Sequence, residues 1–447
     1  MIRHLSLVFG CMLIALSSWA QQFTILIPGG ILPPVPSERL NALEKPADLD
    51  ALIQAAGDKR LVMLGEATHG THEFYVWRDL ISRRLIEEKG FRWVLVEGDF
   101  ASLYQVNRYI RHQKGAARSA QAALSNMNRW PQWVWNNSEM LVFIEWLREF
   151  NRDKSPVEQV GLMGLDLYGE WRSYDALLAA LKSIDRGLHR KAIKSYLCLK
   201  PYKNKSWEYA QAVKDGKANC DEAVSAVMQL VHSDHPKLDK LSAEELFYLR
   251  QNARVVQKAE RHFRLALTEG ELASWNARTT HMQQSLQILA ESQAKARGII
   301  VWAHNSHIGD ARYTSMSESG HLNLGQLARD YWGRESVFLV GFSTAEGRTI
   351  AAMQWGGAIA AMRLPTPARN SLEEWLTLAE AANFYWLFND EDRADPLLQS
   401  PWNQRSVGVL YSPSQDPQQY EPSFLPERYD ALVFFRQTRP LSPLLIR

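Results

Sequence analysis

The chain of 447 residues is poor in several features that define whole classes of protein. It has three cysteines, Cys11, Cys198 and Cys220, too few for a disulfide framework and without metal-ligand spacing. No charge dominates. Against 51 basic side chains stand 49 acidic ones, a net +2, and no basic run stands out, so nothing marks a nucleic-acid surface. No G-x-S-x-G occurs, which removes the usual serine elbow of α/β hydrolases. There is no H-E-x-x-H, and HGTHEF has the wrong order for a zinc-binding helix. No glycine-rich phosphate loop and no G-x-G-x-x-G are present. One apolar stretch stands apart, LSLVFGCMLIAL near the N-terminus, and its twelve residues are too short to span a bilayer.

That stretch follows Arg3 and His4 and runs into SSWA, with Ser18 and Ala20 at the small-residue positions of a cleavage site. A signal peptide over 1–20, cut before Gln21, is the expected reading. It implies an exported protein, periplasmic or secreted, with no stable membrane insertion after cleavage. An oxidising compartment permits a Cys198–Cys220 disulfide.

What remains is soluble and globular in composition, 46% hydrophobic and 22% charged. Its length suggests two or three domains. Sixteen tryptophans are enough for some to line a cleft. Residues 21–45, with PGGILPPVP, read as irregular. ADLDALIQAAG reads as a short helix and RLVML as a buried strand. THEFYVWRDLISRRLIEEKG is a helix with Phe74, Trp77, Ile81 and Leu85 on one face and Gly90 at its stop. RWVLVEG, QVGLMGLD, GIIVWAH, SVFLVGFS and YDALVFFRQT are further strands. The strand–helix–strand order implies right-handed parallel crossovers. The fold class is α/β, a mainly parallel central sheet flanked by helices. Its catalytic domain covers 46–170 and 296–447. Strand signals vanish over 171–295, which reads as an inserted helical subdomain.

Four strands end in ionisable residues. LVML leads to Glu66 and His69, WVLV to Glu97, GLMGL to Asp166, and IIVWA to His304 and His307. In open α/β sheets ligands bind outside the carboxyl ends of the strands. His69 precedes a helix N-terminus, whose partial positive charge disfavours imidazolium and favours the neutral form a general base needs. Glu66 is placed to orient the ring or a water. Arg78, about two turns into the helix, can pair with a carboxylate or face a developing oxyanion. Asp166 and Tyr168 are candidates for the pocket wall. His232, His235, His262 and His281 read as surface or packing residues. With no serine elbow, the chemistry left is hydrolysis by an activated water. The same histidines and carboxylates could instead hold a divalent ion. A non-enzymatic binder using histidine and tryptophan around a haem-like group is a third reading.

GEATHGTHEF, WVLVEGD, GLDLYG, VWAHNSHIGD, GQLARDYWG, VGFSTAEG and LPERYDALVFF together resemble the erythromycin esterase family, in order, over roughly 45–440. The resemblance implies a mixed α/β core with a helical subdomain. It implies hydrolysis of a macrolactone ester by a histidine-activated water. The expected partner is a small-molecule ester or lactone, and no cofactor or metal is expected. Carried over, its functional set is Glu66, His69, Arg78, Glu97, His304 and His307. Export points to another ester, lactone or cell-envelope compound as substrate.

Overall fold

The computed structural model describes residues 32–292 and 298–444. The expected signal peptide lies outside them, as does part of the segment expected to be irregular. The strands are β1 (Leu40–Ala42), β2 (Leu61–Leu64), β3 (Trp93–Asp99), β4 (Gly161–Asp166), β5 (Ile299–Trp302), β6 (Val337–Ala352), β7 (Ile359–Leu364), β8 (Asn383–Leu387), β9 (Trp402–Arg405), β10 (Tyr420–Ser423) and β11 (Ala431–Thr438). The fold is mixed α/β, its central strands parallel and its flanks helical. Two compact units divide the chain. Of the described residues, the first takes 32–92, 130–146 and 298–444, and the second 93–129 and 147–292.

In the first unit β2 lies between β5 and β6 and runs parallel to both. LVML and IIVW are buried along their whole length, as strands covered on both faces must be. Leu64 sits level with Trp302 on one side and Val340 on the other. The turns that follow β2 and β5 therefore leave the sheet at the same edge. Beyond β6 come β11, parallel, and β8, antiparallel. The short strand β1 closes that side by pairing with β8. It lies inside 21–45, where proline and glycine suggested no regular structure. Three residues pair there because β8 offers them an edge, a signal too short to read from composition. β6 is twice the expected length. It pairs with β2 at its start and with β11 from Val340 to Gly347, and its end, from Gly347, pairs antiparallel with β7.

The helix His72–Lys89 begins after Thr71, which is extended, and stops at Gly90, whose φ of 76° is left-handed. Phe74, Ile81 and Leu85 are buried as the periodicity requires, and Trp77 rests half-buried on Phe435. Arg78 and Ser82 are buried with them. Polar side chains on an inward face need partners, and Ser82 accepts a hydrogen bond from the indole of Trp302 at 2.9 Å.

The second unit holds β3 and β4, paired in parallel, and the helical stretch expected at 171–295. No strand occurs among that stretch's described residues. Its spine is the helix Ala243–Thr268, opened by a reciprocal Ser242–Glu245 cap, beside the helix Glu271–Ser292. Cys198 and Cys220 are joined in a disulfide across 22 residues. A loop of that size removes about 3 kcal/mol of chain entropy from the unfolded state. Cys198→Ser with Cys220→Ser should lower unfolding stability by about that much. Reductant should then shift the melting temperature of the parent but not of the variant. Among the described residues no helix is long and apolar enough to cross a membrane.

Candidate functional site

The turn after β2 is built by close approach. A Cβ on Gly65 would lie 2.1 Å from the side-chain oxygen of Asn305, and one on Gly70 would lie 2.0 Å from the carbonyl oxygen of Ile350. Only glycine lets these segments touch. Asn305 uses the contact fully. Its backbone N–H donates to the carbonyl of Glu66 at 2.9 Å, and its amide bonds both backbone groups of Phe342. The turns after β2 and β5 are thus locked together. Thr68 hydrogen-bonds both Thr71 and Thr349, and Ile350 N–H donates to Gly70 at 3.0 Å. Gly70→Ala should push β6 away from the turn and cut activity by at least about 10²-fold, as a misplacement near 1 Å can. A steady-state assay beside a melting curve separates this from unfolding.

Within this frame Glu66 is buried and bridges two partners. Its Oε1 lies 2.8 Å from His69 Nδ1, and its Oε2 accepts from Arg78 Nη2 at 2.7 Å. Of the two roles open to Arg78, the structure shows pairing with a carboxylate. The guanidinium is fully buried over the rings of Tyr75, at 4.3 Å, and Trp302, at 4.9 Å. A carboxylate only accepts, so His69 Nδ1 carries a proton and the neutral ring keeps its lone pair on Nε2.

His304 comes from the end of β5, and its ring lies 4.9 Å from that of His69, tilted by 41°. His304 Nδ1 faces Ser306, whose backbone N–H points at it from 3.3 Å and whose hydroxyl lies at 2.8 Å. Accepting there puts the neutral ring's proton on Nε2. The partners therefore assign opposite tautomers to two neighbouring imidazoles. His307 is buried on the single-turn helix Asn305–Ile308. His72, one residue into the long helix, pairs instead with Glu139 at 2.7 Å.

The other candidates belong to the second unit. Glu97 lies near the end of β3 and Asp166 ends β4, and both are bound by Arg278. Its Nε and Nη2 donate to Asp166 at 3.0 and 2.5 Å, and Nη2 also donates to Glu97 at 2.8 Å. Burial opposes ionisation of Asp166, but the guanidinium outweighs it and holds the carboxyl below its usual range. Burial likewise disfavours the charge on Arg278, and the two carboxylates more than offset that. Arg278 and Arg129 both approach the ring of Tyr168, at 4.9 and 4.7 Å. The Tyr168 hydroxyl lies 3.4 Å from His262 Nε2. Burial lowers His262 to about 4 and His281 to about 3, so both are neutral at physiological pH.

Arg278 is the residue that strand-end reasoning misses, whereas the buried His262 and His281 agree with their reading as packing residues. Arg278 did leave a trace. Ser274, Arg278, His281 and Ser285 recur at intervals of four, three and four, a polar stripe on a helical period, and all four are buried.

The erythromycin esterase profile matches residues 86–438. The erythromycin esterase type II of Escherichia coli is 22% identical over 371 residues, covering 77% of this chain and 84% of that protein. The crystal structure of a Bacillus cereus protein superposes with a TM-score of 0.77 at 19% identity, covering 92% of this chain and 97% of that one. An erythromycin esterase mutant in its open conformation gives 0.66 at 14% identity, over 92% and 99%. A profile that spans most of the chain, on a fold shared with a solved esterase, places this protein in the erythromycin esterase family of ester hydrolases.

Proposed function

We propose that the protein is exported and hydrolyses a small-molecule ester or lactone with a water activated by His69, without a covalent enzyme intermediate. One observation carries this reading: the rings of His69 and His304 lie 4.9 Å apart, and their Nδ1 partners favour opposite tautomers. His69 Nε2 takes a proton from water as the water oxygen bonds the acyl carbon. His304 Nε2–H is a donor for the oxyanion that develops. Collapse breaks the acyl C–O bond, and the leaving alkoxide recovers the proton from His69. A carboxylic acid and an alcohol result, or one hydroxy acid when the substrate is a ring. Glu66 holds the tautomer of His69 and stabilises its transient imidazolium, and Arg78 keeps Glu66 in place.

The metal-assisted reading has less support. Both oxygens of Glu66 are spent on His69 and Arg78. Among the described residues no group of three or more His, Cys, Asp or Glu is arranged to hold an ion. The test is a screen of simple esters, aliphatic lactones and a macrolide, with and without chelator. Turnover of at least one, indifferent to chelation, is expected. In labelled water a single turnover should put the label in the acid and leave none on the protein. No turnover across the screen would sink the proposal.

A further inference from the structure

The second half of β6 and the strand β7 form a hairpin whose base touches the turn that carries His69. Thr349 Oγ lies 3.0 Å from Thr68, and Ile350 N–H donates to Gly70 at 3.0 Å. Three residues on, about 10 Å along an extended strand, the chain reaches its tip. Gly357 N–H donates back to Gln354 at 3.0 Å, and Gly356 sits at a φ of 72°. Glycine in that place makes Trp355 the corner of a tight turn.

The tip is apolar where it meets water. Met353 is 74% exposed and Trp355 45%. Exposed apolar side chains scattered singly carry no message, but these two share one turn and a third joins them. The ring of Trp130 lies 4.4 Å from that of Trp355, and its indole N–H donates to the carbonyl of Gly357 at 3.2 Å. That bond braces the tip from the side. Two indoles and a thioether offer broad, polarisable, uncharged surface, suited to alkyl chains and ring bodies rather than to anions.

We infer that Met353, Trp355 and Trp130 form an apolar shelf, on the hairpin whose base is hydrogen-bonded to the His69 turn, that holds the hydrophobic body of the substrate. This rests on the ester-hydrolase reading and makes the three side chains specificity determinants of that site. The occupant follows from that link: the hairpin that carries the shelf is hydrogen-bonded to the turn that carries the base.

The experiment compares p-nitrophenyl octanoate with p-nitrophenyl acetate. Trp355→Ala should lower the octanoate-to-acetate ratio of kcat/KM about tenfold, chiefly through KM. Met353→Ala should move it the same way by less, and Trp355→Phe should restore most of it. Trp207→Ala removes an exposed tryptophan of the second unit and should leave the ratio unchanged. A ratio unmoved by Trp355→Ala, with turnover still dependent on His69, overturns the shelf and leaves the ester chemistry standing. Dimerisation abolished by Trp355→Ala, with the ratio intact, makes the tip an interface between copies and overturns it too. Trp355-dependent quenching by the octanoate ester without turnover upholds the shelf and removes the chemistry.

Discussion

His69→Ala should lower kcat by at least about 10²–10⁴-fold, the usual contribution of a general base, while the protein stays folded. The folding half follows from Glu66. Removing a partner from a buried carboxylate is costly when it leaves a bare charge, yet Glu66 keeps Arg78 at 2.7 Å after the imidazole is gone. The side chain of His69 is 13% exposed, so water can reach and fill the space its ring leaves. Far-ultraviolet circular dichroism and the melting temperature should match the parent. KM should change less than kcat, because the imidazole acts on the water. Arg78→Ala is the instructive contrast. It removes no group from the proton path, but it strips a buried carboxylate of its cation and should cost stability as well as rate. Parental turnover in His69→Ala would remove the proposed base outright.

The strands of the first unit were legible because burial on both faces leaves four or more consecutive apolar residues. LVML and IIVW therefore announce themselves, and the polar residues after them mark the sheet edge. Parallel register then brings Glu66, His69 and His304 together across some 240 positions of sequence. The partners that fix their chemistry were less visible. Asn305 could be read only as filler between two histidines, and its contact with Gly65 is set by backbone approach. The choice of Arg78 for Glu66 depends on a helix direction that three turn residues do not determine. β1 and β8 escaped notice because short edge strands need a neighbour more than a pattern. Arg278 was hidden by a prior about amphipathic helices. In a charged helical region an arginine reads as solvent-facing, and only the buried serines and histidine at matching intervals argue otherwise.

Arg278→Met should be the most destabilising single change in the second unit, by about 3–5 kcal/mol at pH 7, the range for breaking a buried ion pair. Methionine fills much of the volume but leaves Asp166 and Glu97 without the guanidinium that binds both. The dependence on pH identifies the cause. In the parent, the Asp166 carboxyl is depressed below its ordinary value near 3.8. Its contribution is therefore complete above that value and is lost as pH falls through the lower, folded one. Between pH 7 and pH 5 this group gives the parent no slope. Without Arg278, burial and the nearby Glu97 outweigh the Tyr168 backbone N–H and raise the folded pKa of Asp166. A raised carboxyl has the opposite sign: the folded state gains as pH falls through the raised value towards the unfolded one. The deficit of Arg278→Met in denaturant midpoint should thus shrink from pH 7 to pH 5. Asp166→Asn should recover part of it at pH 7 by deleting the charge. A deficit that stays constant with pH, and is deepened by Asp166→Asn, would mean that Arg278 serves through packing against Tyr168 and not through charge.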